Sequence, residues 1–156
     1  MKKIRIDRTL PVPDEFITRG SGKNKRKLYI RSYRDSLELK EIDPARIKAT
    51  TMIREGEESI STEEFFKRLN KENYVSLDIM FFAHYAKNPK DIPTEWKLAK
   101  VVLFEGTRLF NSEESRMAYS WLLVYNEKEE KWYTHLEPIR LKKMRKEGYL
   151  TAVYIP

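Results

Sequence analysis

The stretch that most constrains the fold is residues 100–136, where three β-rich runs are joined by two polar turns. The middle run, 117–125, is apolar, β-branched and aromatic, and nothing in it breaks a strand. Alternation along a strand puts Met117, Tyr119, Trp121, Leu123 and Tyr125 on one face. Ala118, Ser120, Leu122 and Val124 take the other. Both faces are mainly apolar, so this strand is expected inside a sheet that is covered on both sides. After the polar turn 126–130 the chain returns as 131–136, whose mixed pattern reads as a half-exposed or edge strand. The first run, 101–110, contains Gly106. It reads as a bulge, with a two-residue hairpin turn as the alternative, because 111–115 is the better turn. A bare backbone at Gly106 serves strand curvature or the close approach of a ligand.

The rest of the 156 residues fits a single domain, 1–156, long enough to bury a core. Ser61 followed by Glu64 forms a capping box for a helix over 61–73, with Ile60 and Phe65 at the staple positions. Phe65, Phe66 and Leu69 give it an apolar stripe. A second helix, 78–88, is apolar nearly all round and is expected to be well buried. Trp96 reads as a core plug. Strands are expected at 27–31, 37–42, 47–53 and 149–155, and a short basic helix at 138–146. The fold class is therefore α+β: a mainly antiparallel twisted sheet with the two central helices packed together on one face.

No cysteine is present, which excludes disulfides, thiolate metal sites and cysteine nucleophiles. The basic start at Met1-Lys2-Lys3 is not followed by an apolar h-region, so no signal peptide is expected. The longest apolar stretch, from Ile79, is far too short to cross a bilayer. These features point to a cytoplasmic protein without membrane contact.

Several phrases occur together: Ile6-Asp7-Arg8-Thr9, Ile60-Ser61-Thr62-Glu63-Glu64 with Lys67-Arg68-Leu69, Leu77-Asp78, Ile92-Pro93-Thr94-Glu95-Trp96-Lys97, and Phe104-Glu105-Gly106-Thr107. In this order the chain resembles a group of small uncharacterised bacterial proteins in which Phe-Asp-Gly-Thr precedes an aromatic-rich hairpin. It departs from them in Glu105, where aspartate is usual, and in Glu129-Glu130-Lys131, where a glycine turn is usual. The resemblance implies a coherent fold and no chemistry.

Net charge is +7, from 31 basic and 24 acidic residues, which permits an acidic partner. Two segments concentrate the positive charge. In 19–27 five of nine residues are basic (Arg19, Lys23, Lys25, Arg26 and Lys27) and none is acidic. Its glycines make it a loop, either contacting phosphates or simply solvated. Gly22-Lys23 is not a phosphate-binding P-loop, since Ile17 and Asn24 stand where glycine and Ser/Thr are required. The second segment holds Arg140, Lys142, Lys143, Arg145 and Lys146. Tyr29 and Tyr33, beside the first, could stack on bases.

Catalytic patterns are sparse. His84 and His135-Leu136-Glu137 do not make a two-histidine-one-carboxylate iron site, because the order and fold are wrong. A zinc deaminase would need paired cysteines, and no Gly-x-Ser-x-Gly elbow occurs. Pro13-Asp14 with Glu38-Leu39-Lys40 on an expected strand matches the loose PD-(D/E)xK nuclease pattern, in which carboxylates hold magnesium. Glu-x-Lys triplets recur at 95–97 and 129–131, however. The leading reading is a non-catalytic nucleic-acid-binding module that uses both basic segments, with no metal and no cofactor. A protein–protein accessory role of bacterial or phage origin comes second and the nuclease third. If the two segments fall on one continuous face the binding reading gains weight, and if they lie on opposite sides it loses most of it.

Overall fold

The computed structural model describes residues 2–111 and 117–156. Along the chain come β1 (Ile4–Arg5), β2 (Thr18–Arg19), β3 (Arg26–Lys27), β4 (Tyr29–Ser32), the one-turn α1 (Arg34–Leu37), β5 (Glu41–Ile42), β6 (Ile47–Thr50) and β7 (Ser59–Ser61). Then follow α2 (Thr62–Lys71), β8 (Val75–Ser76), α3 (Ile79–Lys87), β9 (Val101–Phe110), β10 (Ala118–Asn126), β11 (Lys131–Ile139), β12 (Met144–Lys146) and β13 (Tyr149–Tyr154). The class is α+β with a mainly antiparallel sheet, as expected.

The main sheet runs β11-β10-β9-β13-β6, and β4 and β8 join it off this path. β10 is an interior strand and β11 an edge, in keeping with their sequence patterns. Only β13 against β9 is parallel. β9 changes neighbours halfway along its free side. Its first residues pair with β13, and 107–110 pair with β4. β8 fills the gap this leaves beside β13.

Gly106 sits at that change of partner. Its N–H donates to the Leu77 carbonyl at 2.9 Å and its carbonyl accepts from the Tyr33 N–H at 2.9 Å. A Cβ there would lie 2.3 Å from the Ser76 carbonyl oxygen. The glycine is therefore required by close approach of the chain to itself. The expected bulge is present: Phe104 to Leu109 runs five positions where Trp121 to Tyr119 runs two. The odd excess shifts the alternation of side chains. Val102 and Phe104 face the α3 core, as does Leu109 beyond the bulge, while Glu105 is turned to the other face.

Helix placement differs from the expectation of a shared face. α3 packs Phe81, Phe82 and Tyr85 with Val102, Phe104, Leu123, Ala152 and Trp96. α2 packs Phe65 and Leu69 with Ile60 and Val153 in a separate cluster. Ala152 and Val153 are successive residues of one strand, so the two helices cover opposite faces of the sheet. Amphipathicity says which side of a helix is buried and is silent about which side of a sheet receives it. Both helix starts are capped. Ser61 Oγ accepts from the Glu64 N–H at 3.1 Å, and Asp78 Oδ1 accepts from the Met80 N–H at 3.1 Å. Glu64 does not complete the box; its carboxylate takes the Arg68 Nε at 3.0 Å.

Two other expectations are corrected. Residues 138–146 form the end of β11, a turn and β12, with Met144–Lys146 paired to Ser59–Ser61, because long-range strand pairing outcompetes a weak local helix. The strand expected over 37–42 is replaced by the end of α1 and by Glu41–Ile42. The turn expected at 111–115 lies, apart from Asn111, outside the described residues.

Candidate functional site

β2 and β3 pair Thr18 with Lys27 and Arg19 with Arg26, so the first basic segment is a short hairpin. Leu28 pins its base to the core and donates its N–H to the Ile17 carbonyl at 2.6 Å. Arg19, Lys23, Lys25, Arg26 and Lys27 are all exposed, as is Arg31 on β4. None of the six has a carboxylate partner among the described residues. Arg19 lies over the Tyr119 ring at 4.6 Å and Arg31 over the Phe110 ring at 5.6 Å. Tyr29 and Tyr33 are 48% and 45% exposed.

The second segment behaves differently. Arg145 is 3% exposed and is withdrawn from any external phosphate, which corrects its assignment as a contact residue. Its Nη1 and Nη2 donate to the two oxygens of Glu105, both at 2.6 Å, and its Nε donates to Thr62 Oγ1 at 3.1 Å. Thr151 Oγ1 donates to Glu105 at 2.6 Å, and the Phe65 ring lies 4.3 Å from the guanidinium. A buried pair this fully hydrogen-bonded is structural. Lys143 is held by Glu137 at 3.0 Å. The turn before it docks on the start of α2, with the carbonyls of Leu141 and Lys143 accepting from the Glu63 and Thr62 N–H groups. Arg140, Lys142 and Lys146 remain exposed.

The two segments are anchored on opposite faces. Tyr119, on which Arg19 rests, alternates with Trp121 and Leu123, and Trp121 stacks on Phe82 of α3 at 5.2 Å. The 140–146 segment is fixed to α2 on the other side. They are tied to different faces of the sheet.

The residues of the nuclease pattern are placed without the expected strand. Glu38 follows α1, is exposed, and pairs with Arg34 Nε at 3.4 Å. Asp14 opens a single 3-10 turn. His84 rides α3 with Nε2 3.2 Å from Asp91 Oδ2, out of line for a hydrogen bond. His135 is an exposed residue of the edge strand β11. Among the described residues no group of three His, Asp or Glu side chains could hold a metal ion. No helix among them is long and apolar enough to cross a membrane.

What sequence reasoning missed is a set of long-range polar clamps. Arg8 Nη1 donates to Asp78 Oδ2 at 2.5 Å, and the rest of its guanidinium takes the Ser36 and Leu39 carbonyls. Thr107 Oγ1 accepts from the Ile79 N–H at 3.0 Å and bonds Ser32 Oγ at 2.7 Å. Thus Ile6–Thr9, Leu77-Asp78 and Phe104–Thr107, far apart in the chain, meet around the start of α3 and the Gly106 bulge. Asp78, a lone charge in the apolar run 77–83, was the one available signal. No protein-family model, no curated protein and no solved structure matches the chain.

Proposed function

We propose that this protein is a non-catalytic binding module that contacts nucleic-acid phosphates through the hairpin 18–27 and the adjoining β4. One observation carries the reading: five exposed cations stand together on one short hairpin without a carboxylate partner among the described residues. Part of the remaining surface charge is compensated. Lys3, Arg5, Arg34, Lys67, Lys87 and Lys143 each have a carboxylate within 4 Å. Like charges left uncompensated repel one another, and a polyanion relieves that repulsion while releasing its own counterions. Exposed Tyr29 and Tyr33 add flat surfaces on which bases can stack. A cytoplasmic setting fits a chain without cysteine.

The test is binding of a labelled oligonucleotide across a salt series. Neutralising about five phosphates gives a log–log slope of roughly −4 to −5 on duplex and a shallower one on single strands. Replacing Lys23, Lys25 and Arg26 together by alanine should weaken binding and flatten the slope. A slope near zero, with capture of one protein partner that is indifferent to nuclease treatment, would select an accessory protein instead.

A further inference from the structure

Among the described residues four arginines are withdrawn from full exposure: Arg8, Arg68, Arg108 and Arg145. Three are saturated by acceptors. Arg8 has Asp78 and two carbonyls, Arg68 has Glu57, Glu64 and the Met52 carbonyl, and Arg145 has Glu105 and two threonines. Arg108 is different. Among the described residues its buried Nε meets no hydrogen-bond acceptor and no carboxylate pairs with its guanidinium. Its guanidinium carbon sits 5.6 Å from the centre of the Tyr33 ring and 5.7 Å from that of Phe66. A buried donor of a charged group left without an acceptor is costly, and the cost falls when a ligand supplies one.

Arg108 lines a cavity of about 390 Å³ that opens where β4, β8 and β9 meet under α2. The bulge at Gly106 is what turns it there: without the shift in alternation Arg108 would follow Phe104 into the α3 core. Tyr33, Phe66, Leu69 and Tyr74 form the apolar walls, and Asn70 and Asp35 add polar atoms. The volume suits one small planar ligand. Tyr33 directly follows β4, so the mouth of the cavity continues from the strand that adjoins the basic hairpin.

We infer that this cavity takes one unstacked nucleobase, its acceptor edge on Arg108 and its ring against the aromatic walls. Arginine donates as a fork to adjacent acceptors, and guanine presents O6 and N7 in that arrangement. Asp35 and Asn70 stand available to the donor edge of the same base. Guanine is therefore the preferred occupant, supplied either by a bound single strand or by a free nucleotide. For the strand source the inference rests on the nucleic-acid reading above.

The experiment uses the intact protein and three probes: a thymine strand carrying one guanine, the same strand abasic at that position, and guanosine monophosphate. Loss of the base should weaken strand binding by about tenfold, the scale of one stacked base. Arg108→Met should abolish this difference and leave the salt slope near that of the unaltered protein. The hairpin triple variant should keep the difference while losing affinity and slope. Because the abasic comparison alters only the probe, it holds whether or not Arg108→Met folds. Equal binding of the two strands, unaffected by Arg108→Met, with no binding of guanosine monophosphate, overturns the cavity inference and leaves phosphate contact standing. Binding of guanosine monophosphate that Arg108→Met removes, with neither strand bound, supports the cavity and overturns phosphate contact. No binding of any probe overturns both.

Discussion

Glu105 and Arg145, 40 positions apart, face each other inside the protein with both carboxylate oxygens 2.6 Å from guanidinium nitrogens. The pair ties β9 to β12 beneath α2, and Thr62 and Thr151 satisfy its remaining polar atoms. Removing one partner strands a charge in a dry interior. Arg145→Met or Glu105→Leu alone should each cost about 3–5 kcal/mol of stability, while the double variant should recover most of that loss. Chemical denaturation of the four proteins checks it, and additive losses would show that the two side chains act independently.

At Gly106 a single methyl group is too much. With Ser76 O at 2.3 Å and the Leu77 carbonyl carbon at 2.8 Å from a Cβ, both neighbours are backbone and cannot swing aside. Gly106→Ala should lower stability by at least about 1–3 kcal/mol, read as a reduced urea midpoint. An unchanged midpoint would mean that β8 and β9 are not seated this closely.

Acid should loosen the hold of the 54–57 turn on Arg68, in the second half of α2, through Glu57. Hydrogen bonds from Arg68, then from the Arg54 N–H, hold its carboxyl down to about 2 from an ordinary 4.5. A carboxyl lowered in the folded state adds stability above its unfolded value and loses it as pH falls toward the folded one. The contribution should therefore be complete above pH 4.5 and fade between 4.5 and about 2. Denaturation midpoints followed over that range should fall less steeply in Glu57→Gln.

The hairpin cations should matter to binding and hardly to folding. Lys23, Lys25 and Arg26 are exposed and make no ion pair among the described residues. Alanine at each should leave stability within about 0.5 kcal/mol. A larger loss on thermal unfolding would mean that these side chains support the fold, and would count against their being kept free for a partner.

Much of the sheet could be read from local pattern. The interior β10, the edge β11, the bulge at Gly106 and the Ser61 start of α2 each carry their own signal within a few residues. The failures share a cause. Arg145 looks like one more surface cation until Glu105 is brought to it, and Met144–Lys146 becomes a strand only because Ser59–Ser61 lies alongside. Arg108 belongs to the same class, since its direction depends on a shift in β9 alternation that no count of apolar residues reveals. The basic hairpin was legible as an exposed loop, whereas the face to which it and 140–146 are each tied depends on long-range contacts.

β13 bonds to β6, β8 and β9, and its Ala152 and Val153 are wholly buried, one in each cluster. A chain emerging from the ribosome makes those three strands long before the one that joins them. Both hydrophobic layers must therefore wait, half-assembled, until residue 154 is free, and during that interval the nascent protein depends on whatever shields its open strand edges.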